Sequence, residues 1–564
     1  MMKYLIMLPK YSRYFAVIFV FIGSVLSYTS SWNNSLIIDE ISHIGAGYSY
    51  LVKGDMRINA EHPPLVKDLA AIPLLFVKLN QDAFQSPRWT TNINDQWKFG
   101  RQLIYQSGND ADLIGRLAHL PMLLFFALSA WILWKWAKKL YGDRVALFAV
   151  FLFSFSPTIL ANAHFATTDM AALFGVLSAA YFFVQYLQQP MRRNFWFASI
   201  FFGIALLCKF STAMLVPLFL LTALIWNYKK IASTILLMVV GFVVVVWPLY
   251  YLHVRNYPPE RQRADTFDQL QSSNHFAYAK PIIWLSDKPI LRAAGQYGLG
   301  LFKVSQRWKG GTNVFFLGKV SQGAGPAYFP FVYLVKEPLA WWGLVIIAII
   351  TTIKNTTSKF KIIESLRNHP DITIMLLWLA IYWATSLKGA LNVGIRHLLP
   401  IYPFMIILIS GQIIKITKLK LVVYALLVWY VLENIFVFPH YLTYFNQLVG
   451  GSSGGHRYVV DSNLDWGQDL KRLGAWVREN NIRRIEFDYF GWADPSYYLG
   501  ERFVSLGAKT YQNEEDFLAN NTSDGWIAVS ATTLMNKSNS KYAWLYSHAP
   551  TAVVGRSIFL YHLK

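Results

Sequence analysis

Long apolar runs separated by short basic stretches set the pattern of this chain. The first covers about residues 14–31 and is followed by a polar loop to about residue 112. Further runs lie near residues 113–136, 145–160 and 171–186. The stretch FWFASIFFGIALLCKFSTAMLVPLFLLTALIW is long enough for two short spans broken near Lys209. Later runs lie near 231–252, 331–353, 372–386, 397–414 and 419–438. An apolar helix needs roughly 20 residues to cross the hydrocarbon core, with about 17 the lower bound, so the pattern predicts about eleven spans.

The basic stretches test that count. KWAKKLYGDR, MRRN, NYKK, KNTTSKFKIIESLRNHP and KITKLK all fall on one side if the region around Lys209 is a doublet. Loops rich in Lys and Arg stay cytoplasmic. A single span there would split the basic loops between the two sides. The doublet therefore places the long loops 32–112 and 253–327, and the tail after Pro439, outside. Lys3, Lys10 and Arg13 precede the first run; with no small-residue cleavage site, it reads as a retained first helix with a cytoplasmic N-terminus. Within the first loop, LVKDLAAIPLLFVKL has an amphipathic pattern suited to lying on the membrane surface.

The tail changes character. HRYVVDSN, RRIEFDYF, GWIAVSATTL and TAVVGRSIFLYHL read as short strands. WGQDLKRLGAWVREN has helical periodicity, with Asp469 early and Arg478 late as the helix dipole favours. The predicted organisation is a membrane domain over residues 1–439 and a small extracytoplasmic α/β domain over 440–564.

Composition supports this class. Of 564 residues, 54% are hydrophobic and only 15% charged, which a soluble protein of this length would not show. The net charge of +21 sits in the short loops, so it points to membrane orientation and anionic lipid headgroups, not to nucleic acid. The single cysteine, Cys208, excludes an intrachain disulfide.

Chemistry concentrates outside. IIDEISHIGAGYSYLVKGDMRINAEHPPLVK carries Asp39, Glu40, His43, Asp55, Arg57, Glu61, His62 and Lys67 beside the first span. Arg116 opens the second span, Asp169 follows NAHFATT, Lys209 interrupts an apolar hairpin, and Arg396–His397 precede the tenth span. Ionisable groups at a membrane boundary are costly unless solvated, paired or used. Acids from two loops and cations from three converge on one face. That suits a general base and an anionic phosphate donor. Each residue also has a plainer reading: Asp39 as a helix cap, Glu40 as its solvated neighbour, Asp169 as an N-cap competing with Thr167 and Thr168, Lys209 as a snorkelling lysine, and Arg116 and Arg396 as boundary residues. In DSNLDWGQDL, Asp461, Asp465 and Asp469 lack the glycine and terminal glutamate of an EF-hand. Asp465 or Asn463 is expected to cap the next helix there.

Asp39–Glu40 after the first span, EHPPL with Lys67, Arg116, SPTILANAHFATTD, LLCKFSTA, FLGKVSQGAGPAYFPFVYLVKEPLAWW and IRHLLPIYPF resemble, in order, the protein O-mannosyltransferases and their bacterial relatives. YFNQLVGGSSGGHRYVVDSNLDWGQDL resembles the outer domain of bacterial phospholipid carrier-dependent glycosyltransferases. These are GT-C enzymes, and the aminoarabinose transferases of lipid A are more distant relatives. The resemblance implies an inverting hexosyl- or pentosyltransferase in a bacterial inner membrane. It would move a sugar, with mannose the leading candidate, from a polyprenyl phosphate to a protein, lipid or glycan acceptor. It makes Asp39 the base, with Glu40 and Asp169 beside it. Arg116, Lys209 and Arg396 would hold the donor phosphate, and His43, Glu61, His62, Lys67 and His397 would support the site. A divalent metal is left open, with Glu61 and His62 as candidates. The alternative class is a transporter or flippase of a lipid-linked substrate, which should show inverted repeats and helices broken at midplane; neither is visible.

Overall fold

The structure is a computed structural model and describes residues 11–355, 366–414, 419–507, 509–536 and 541–564. Lys3, Lys10 and parts of two basic loops lie outside the described residues.

The chain is a polytopic helical protein with a small sheet near its C-terminus. Seven stretches are long and apolar enough to cross a membrane, or nine if each of two bent helix pairs counts as one span. The bent pairs are Asp143–Ser154 with Pro157–Ala163, at 65°, and Tyr328–Lys336 with Leu339–Lys354, at 108°. Both breaks carry a proline, which cannot donate the hydrogen bond that a continuous helix requires. One of the seven, Phe210–Val254, is 45 residues long and folds back on itself near Tyr228–Lys230. Its two halves pack together. Dividing it there, and adding the 17-residue helix Arg192–Cys208, recovers the eleven runs read in the sequence.

Helix Thr168–Gln188 lies at the centre of the bundle and packs along Arg192–Cys208. Its two ends carry different chemistry. At the far end, Asp371 accepts from Gln188 Nε2 at 2.6 Å, Trp136 Nε1 at 2.7 Å and Lys139 Nζ at 3.1 Å. The ends of three helices, at Lys139, Gln188 and Asp371, therefore meet on one side. Asp169 starts the same helix at the opposite end.

The first loop is a packed layer. Helix Ile38–Lys53 follows the first span after a short turn. Leu65–Ala71 crosses it where Gly47 meets the Lys67 backbone; a Cβ there would lie 2.0 Å from Lys67 O. Only glycine allows that approach. The amphipathic stretch is this helix followed by a 3₁₀ turn, Ile72–Phe76. Ile72, Leu75 and Phe76 are exposed, while Lys67 is fully buried.

Seven strands are present among the described residues. In the second long loop, β1 (Asn313–Phe316) and β2 (Lys319–Gln322) form a hairpin that the sequence pattern did not announce. The tail holds β3 (Ile485–Asp488), β4 (Phe503–Ser505), β5 (Trp526–Ser530), β6 (Ala552–Val554) and β7 (Ile558–His562). Their order is β4-β3-β5-β7-β6. β3 runs parallel to β4 and β5, and β7 runs antiparallel to β5 and β6. All four residues of β3 are buried, as a central strand requires. The segment read as a strand at HRYVVDSN is instead two 3₁₀ turns, Gly455–Arg457 and Asp461–Asn463. Its apolar pair does not join the sheet; Val459 makes one isolated bridge to Phe316.

Candidate active site

Four elements deliver charged side chains to one place. Ile38–Lys53 presents Asp39 in its first turn, and Thr168–Gln188 presents Asp169 in its own. Lys209 sits in extended backbone (φ −161°, ψ 141°) where Arg192–Cys208 ends, so the predicted break is real. Arg396 lies in the 3₁₀ segment Ile395–Ile401, entered through Gly394 at φ 105°. That left-handed conformation favours glycine, and a Cβ would lie 2.6 Å from Ser462 Oγ.

The four groups form a ladder. Arg396 Nη1 donates to Asp39 Oδ2 at 2.7 Å and to Asp169 Oδ2 at 3.2 Å. Lys209 Nζ donates to Asp169 Oδ1 at 2.5 Å. Two acids balance two cations. The rungs differ in access: the Asp39 side chain is 25% exposed and that of Asp169 1%. Among the described residues, the second carboxylate oxygen of Asp39 accepts no hydrogen bond. A buried acid neutralises its cations permanently, whereas an accessible one can exchange a proton with a substrate.

Glu40, read as a neighbour in the catalytic group, has a different place. Its carboxylate accepts from Ile37 N at 3.0 Å, His119 Nε2 at 2.7 Å and Ala166 N at 2.8 Å, and it is fully buried. It caps its own helix and ties it to the loop before Asp169. With both oxygens engaged, it has no reach to a substrate. Arg116 is also apart from the ladder. It is exposed, and its Nε donates to Asp112 O in its own helix. Asp169 is not an N-cap, because Thr167 occupies that position. Asp465 and Asn463 do not cap the helix Leu470–Glu479 either; Asp469 precedes it.

A second wall comes from the loop after Asn59. Lys67 Nζ donates to Tyr50 OH at 2.9 Å and to the carbonyls of Asn59 and His62, both at 2.8 Å. Burial pushes its pKa down to about 7. His43 Nδ1 lies 2.8 Å from Ala166 O, and its ring meets that of His62 edge to face at 5.0 Å. Burial lowers both rings, His62 further, while at His43 the carboxylate of Asp39 partly opposes it. Both are neutral near pH 7. Burial alone would raise the Glu61 carboxyl, but Lys303 Nζ at 2.8 Å and Gln96 Nε2 at 2.5 Å leave it lowered. His397 follows Arg396 in the same 3₁₀ segment, and its carbonyl accepts from Tyr382 OH.

Lys303, Gln96, Ser462 and Trp466 were not found by reading the sequence. Lys303 and Arg307 lie one turn apart in GLFKVSQRWK, a spacing that could have flagged them. Trp466 carried no such signal. The Arg396 guanidinium lies 3.9 Å from its ring centroid. Among the described residues, no three His, Cys, Asp or Glu side chains are placed to hold a metal ion. Glu61 is engaged by Lys303, Gln96 and Asn94, so Glu61 and His62 do not fit as a metal pair.

Residues 115–251 match the family of dolichyl-phosphate-mannose-protein mannosyltransferases. The resemblance read from the motifs is thus found again over that stretch. It contains Arg116, Asp169 and Lys209, while Asp39 and Arg396 lie outside it. No curated relative matches the chain in sequence. Among solved structures, the chain is similar to the archaeal oligosaccharyltransferase AglB from Archaeoglobus fulgidus, in complex with an inhibitory peptide and a dolichol-phosphate. That match has 11% identity and a TM-score of 0.47, over 95% of this chain and 71% of that one. The match to ArnT from Cupriavidus metallidurans, bound to undecaprenyl phosphate, has 13% identity and a TM-score of 0.35, over 96% and 97%. The match to the protein O-mannosyltransferase Pmt1-Pmt2 complex of S. cerevisiae, bound to the sugar donor, has 17% identity and a TM-score of 0.34. It covers 43% of this chain and 34% of that one.

Proposed function

We propose that this protein is an inverting glycosyltransferase of the bacterial inner membrane, with its site and C-terminal domain on the extracytoplasmic face. It transfers a sugar, mannose by family resemblance, from a polyprenyl phosphate to an acceptor hydroxyl on a protein, lipid or glycan. The observation that carries this reading is the ladder Asp39–Arg396–Asp169–Lys209, in which Asp39 is the most accessible side chain and Asp169 the most enclosed.

Each group has a role that its geometry supports. Asp39 accepts the proton of the acceptor hydroxyl as its oxygen attacks the anomeric carbon. The bond from that carbon to the phosphate oxygen breaks on the opposite face, and the polyprenyl phosphate leaves with the electron pair. Arg396 and Lys209 face this leaving group. An arginine binds a phosphate through parallel N–H donors, and a lysine binds it as a point charge. Asp169 holds both cations in place before the donor arrives. Lys67 fixes the carbonyl of His62, and neutral His43 and His62 add no competing charge. Glu61 orients Lys303 at the chamber edge. Preorganised charge of this kind needs no rearrangement during the reaction.

The test is transfer of labelled sugar from a purified polyprenyl-phosphate sugar by the full-length protein in detergent. Asp39→Asn should lower transfer by about 10³-fold, within the range of general-base catalysis, while donor binding survives. Wild-type-like transfer by that variant would remove Asp39 from the chemistry.

A further inference from the structure

The C-terminal sheet has the geometry of a ligand-binding sheet, yet its crevice is filled by its own chain. β3 is flanked on both sides by parallel partners, β4 and β5. Open parallel sheets bind ligands outside the carboxyl ends of their strands, where the strand order reverses. In this domain that position lies after β3 and β5. Tyr489, just past β3, donates its hydroxyl to Gly467 O at 2.6 Å. Thr532, just past β5, donates its backbone N–H to Asp465 Oδ2 at 2.8 Å and its hydroxyl to Asp465 O at 3.2 Å. Asp461 N in turn donates to Thr532 Oγ1 at 2.9 Å. The sheet therefore grips the segment Asp461–Gly467 at several points.

The other face of this segment is turned to the ladder. Trp466 is 1% exposed, and its ring lies 3.9 Å from the Arg396 guanidinium. Arg396 Nε donates to Ser462 Oγ and to Val393 O, both at 3.2 Å. Asn463 Oδ1 accepts from Ile395 N at 2.9 Å. Trp466 O also accepts from Ile38 N at 3.2 Å, one residue before Asp39. One short loop thus touches both elements that carry the accessible end of the ladder. Arg396 needs this support: its Nη1 is shared between two carboxylates on different helices, which leaves its plane to be set by what lies against it.

We propose that the sheet domain is a positioning device for the transfer site, with Trp466 as the positioning residue. The indole face and Ser462 hold the Arg396 guanidinium in the plane in which it reaches Asp39, Asp169 and the donor phosphate. The inference rests on the donor-phosphate role of Arg396 given above. It adds that the tail domain acts through Arg396 and does not itself touch the reacting atoms.

The experiment measures the affinity of full-length variants in nanodiscs for undecaprenyl phosphate, and sugar transfer in parallel. Trp466→Leu should raise the Kd about tenfold, as expected for a desolvated cation–π contact. Trp466→Phe should recover most of that loss, because it keeps an aromatic face. In an Arg396→Lys background, Trp466→Leu should have no additional effect on Kd. Ser462→Ala, a smaller change that tests the same point if Trp466→Leu does not fold, should raise the Kd about threefold, close to one hydrogen bond. A Kd unchanged in both Trp466→Leu and Ser462→Ala, or effects that multiply in the double variant, would overturn the inference. If the wild type binds the lipid phosphate but transfers nothing, the glycosyltransferase reading fails while the binding data still decide this one. If the wild type does not bind the lipid phosphate, both fail.

Discussion

Lys209 and Lys336 are both ammonium groups set among apolar helices, but their partners differ in kind. Lys336 lies at the 108° bend and is 2% exposed. Its Nζ donates to Leu442 O at 2.8 Å and Asn463 O at 2.7 Å, over the ring of Phe445. The adjacent Glu337 accepts from Thr158 Oγ1 and Tyr402 OH, both at 2.6 Å. These partners are neutral, fixed and enclosed. Lys209 instead rests against Asp169 in a ladder whose last rung is accessible. A charge satisfied by carbonyls and hydroxyls is bound into the fold and would gain nothing from an incoming anion. A charge satisfied by another charge can be shared with one. Burial alone does not separate structural from functional ionisable groups; the type of partner does.

That contrast can be broken in measurable ways. Lys336→Met strands two buried carbonyls and should destabilise the fold by about 3 kcal/mol, at roughly 1–3 kcal/mol for each acceptor left unsatisfied. The readout is the midpoint of thermal unfolding in detergent, and an unchanged midpoint would put Lys336 outside the structural class. Lys209→Ala should act the other way round, raising the donor Kd about tenfold through loss of a charge-assisted contact. A melting loss with unaltered donor affinity would make Lys209 another Lys336.

Lys67 is enclosed like Lys336 but lies near the site. Its folded pKa of about 7 lies below the ordinary lysine value of roughly 10.4. Between those two pH values the unfolded chain binds the extra proton, so this group makes the protein more stable as pH rises from about 7 to 10. Below about 7 its penalty is constant. Lys67→Met should remove that slope. The comparison of unfolding midpoints across that window decides it, and parallel profiles for wild type and variant would contradict the burial argument. Glu61 and Asp68, the acids acting on Lys67, are retained in both.

Much of this was legible in the chain. Apolar run length and basic loops gave the spans, because hydrocarbon thickness and lysine placement act on local sequence. The interruption at Lys209 was visible for the same reason. What stayed hidden depended on contacts between distant segments. Asp39 and Glu40 are adjacent and chemically alike, yet a helical turn sends one toward Arg396 and the other into His119 and Ala166. Nothing local distinguishes them. Arg116 looked like a mouth residue but faces away from the ladder. Lys303 reaches Glu61 from a helix more than two hundred residues later. The HRYVVDSN segment has strand composition, and its refusal to form one follows from the sheet gripping its continuation.

The ties at Lys336 also bear on how the protein is made. Its ammonium is satisfied by carbonyls of residues 442 and 463, both beyond the last apolar run. A nascent chain inserted through residue 437 therefore still carries an unanswered charge inside a bent helix, and Arg396 without its indole. The four residues of the ladder are all present by then, but Trp466 and Ser462, which lie against Arg396, are still to come, so the guanidinium gains its last contacts only when the tail docks.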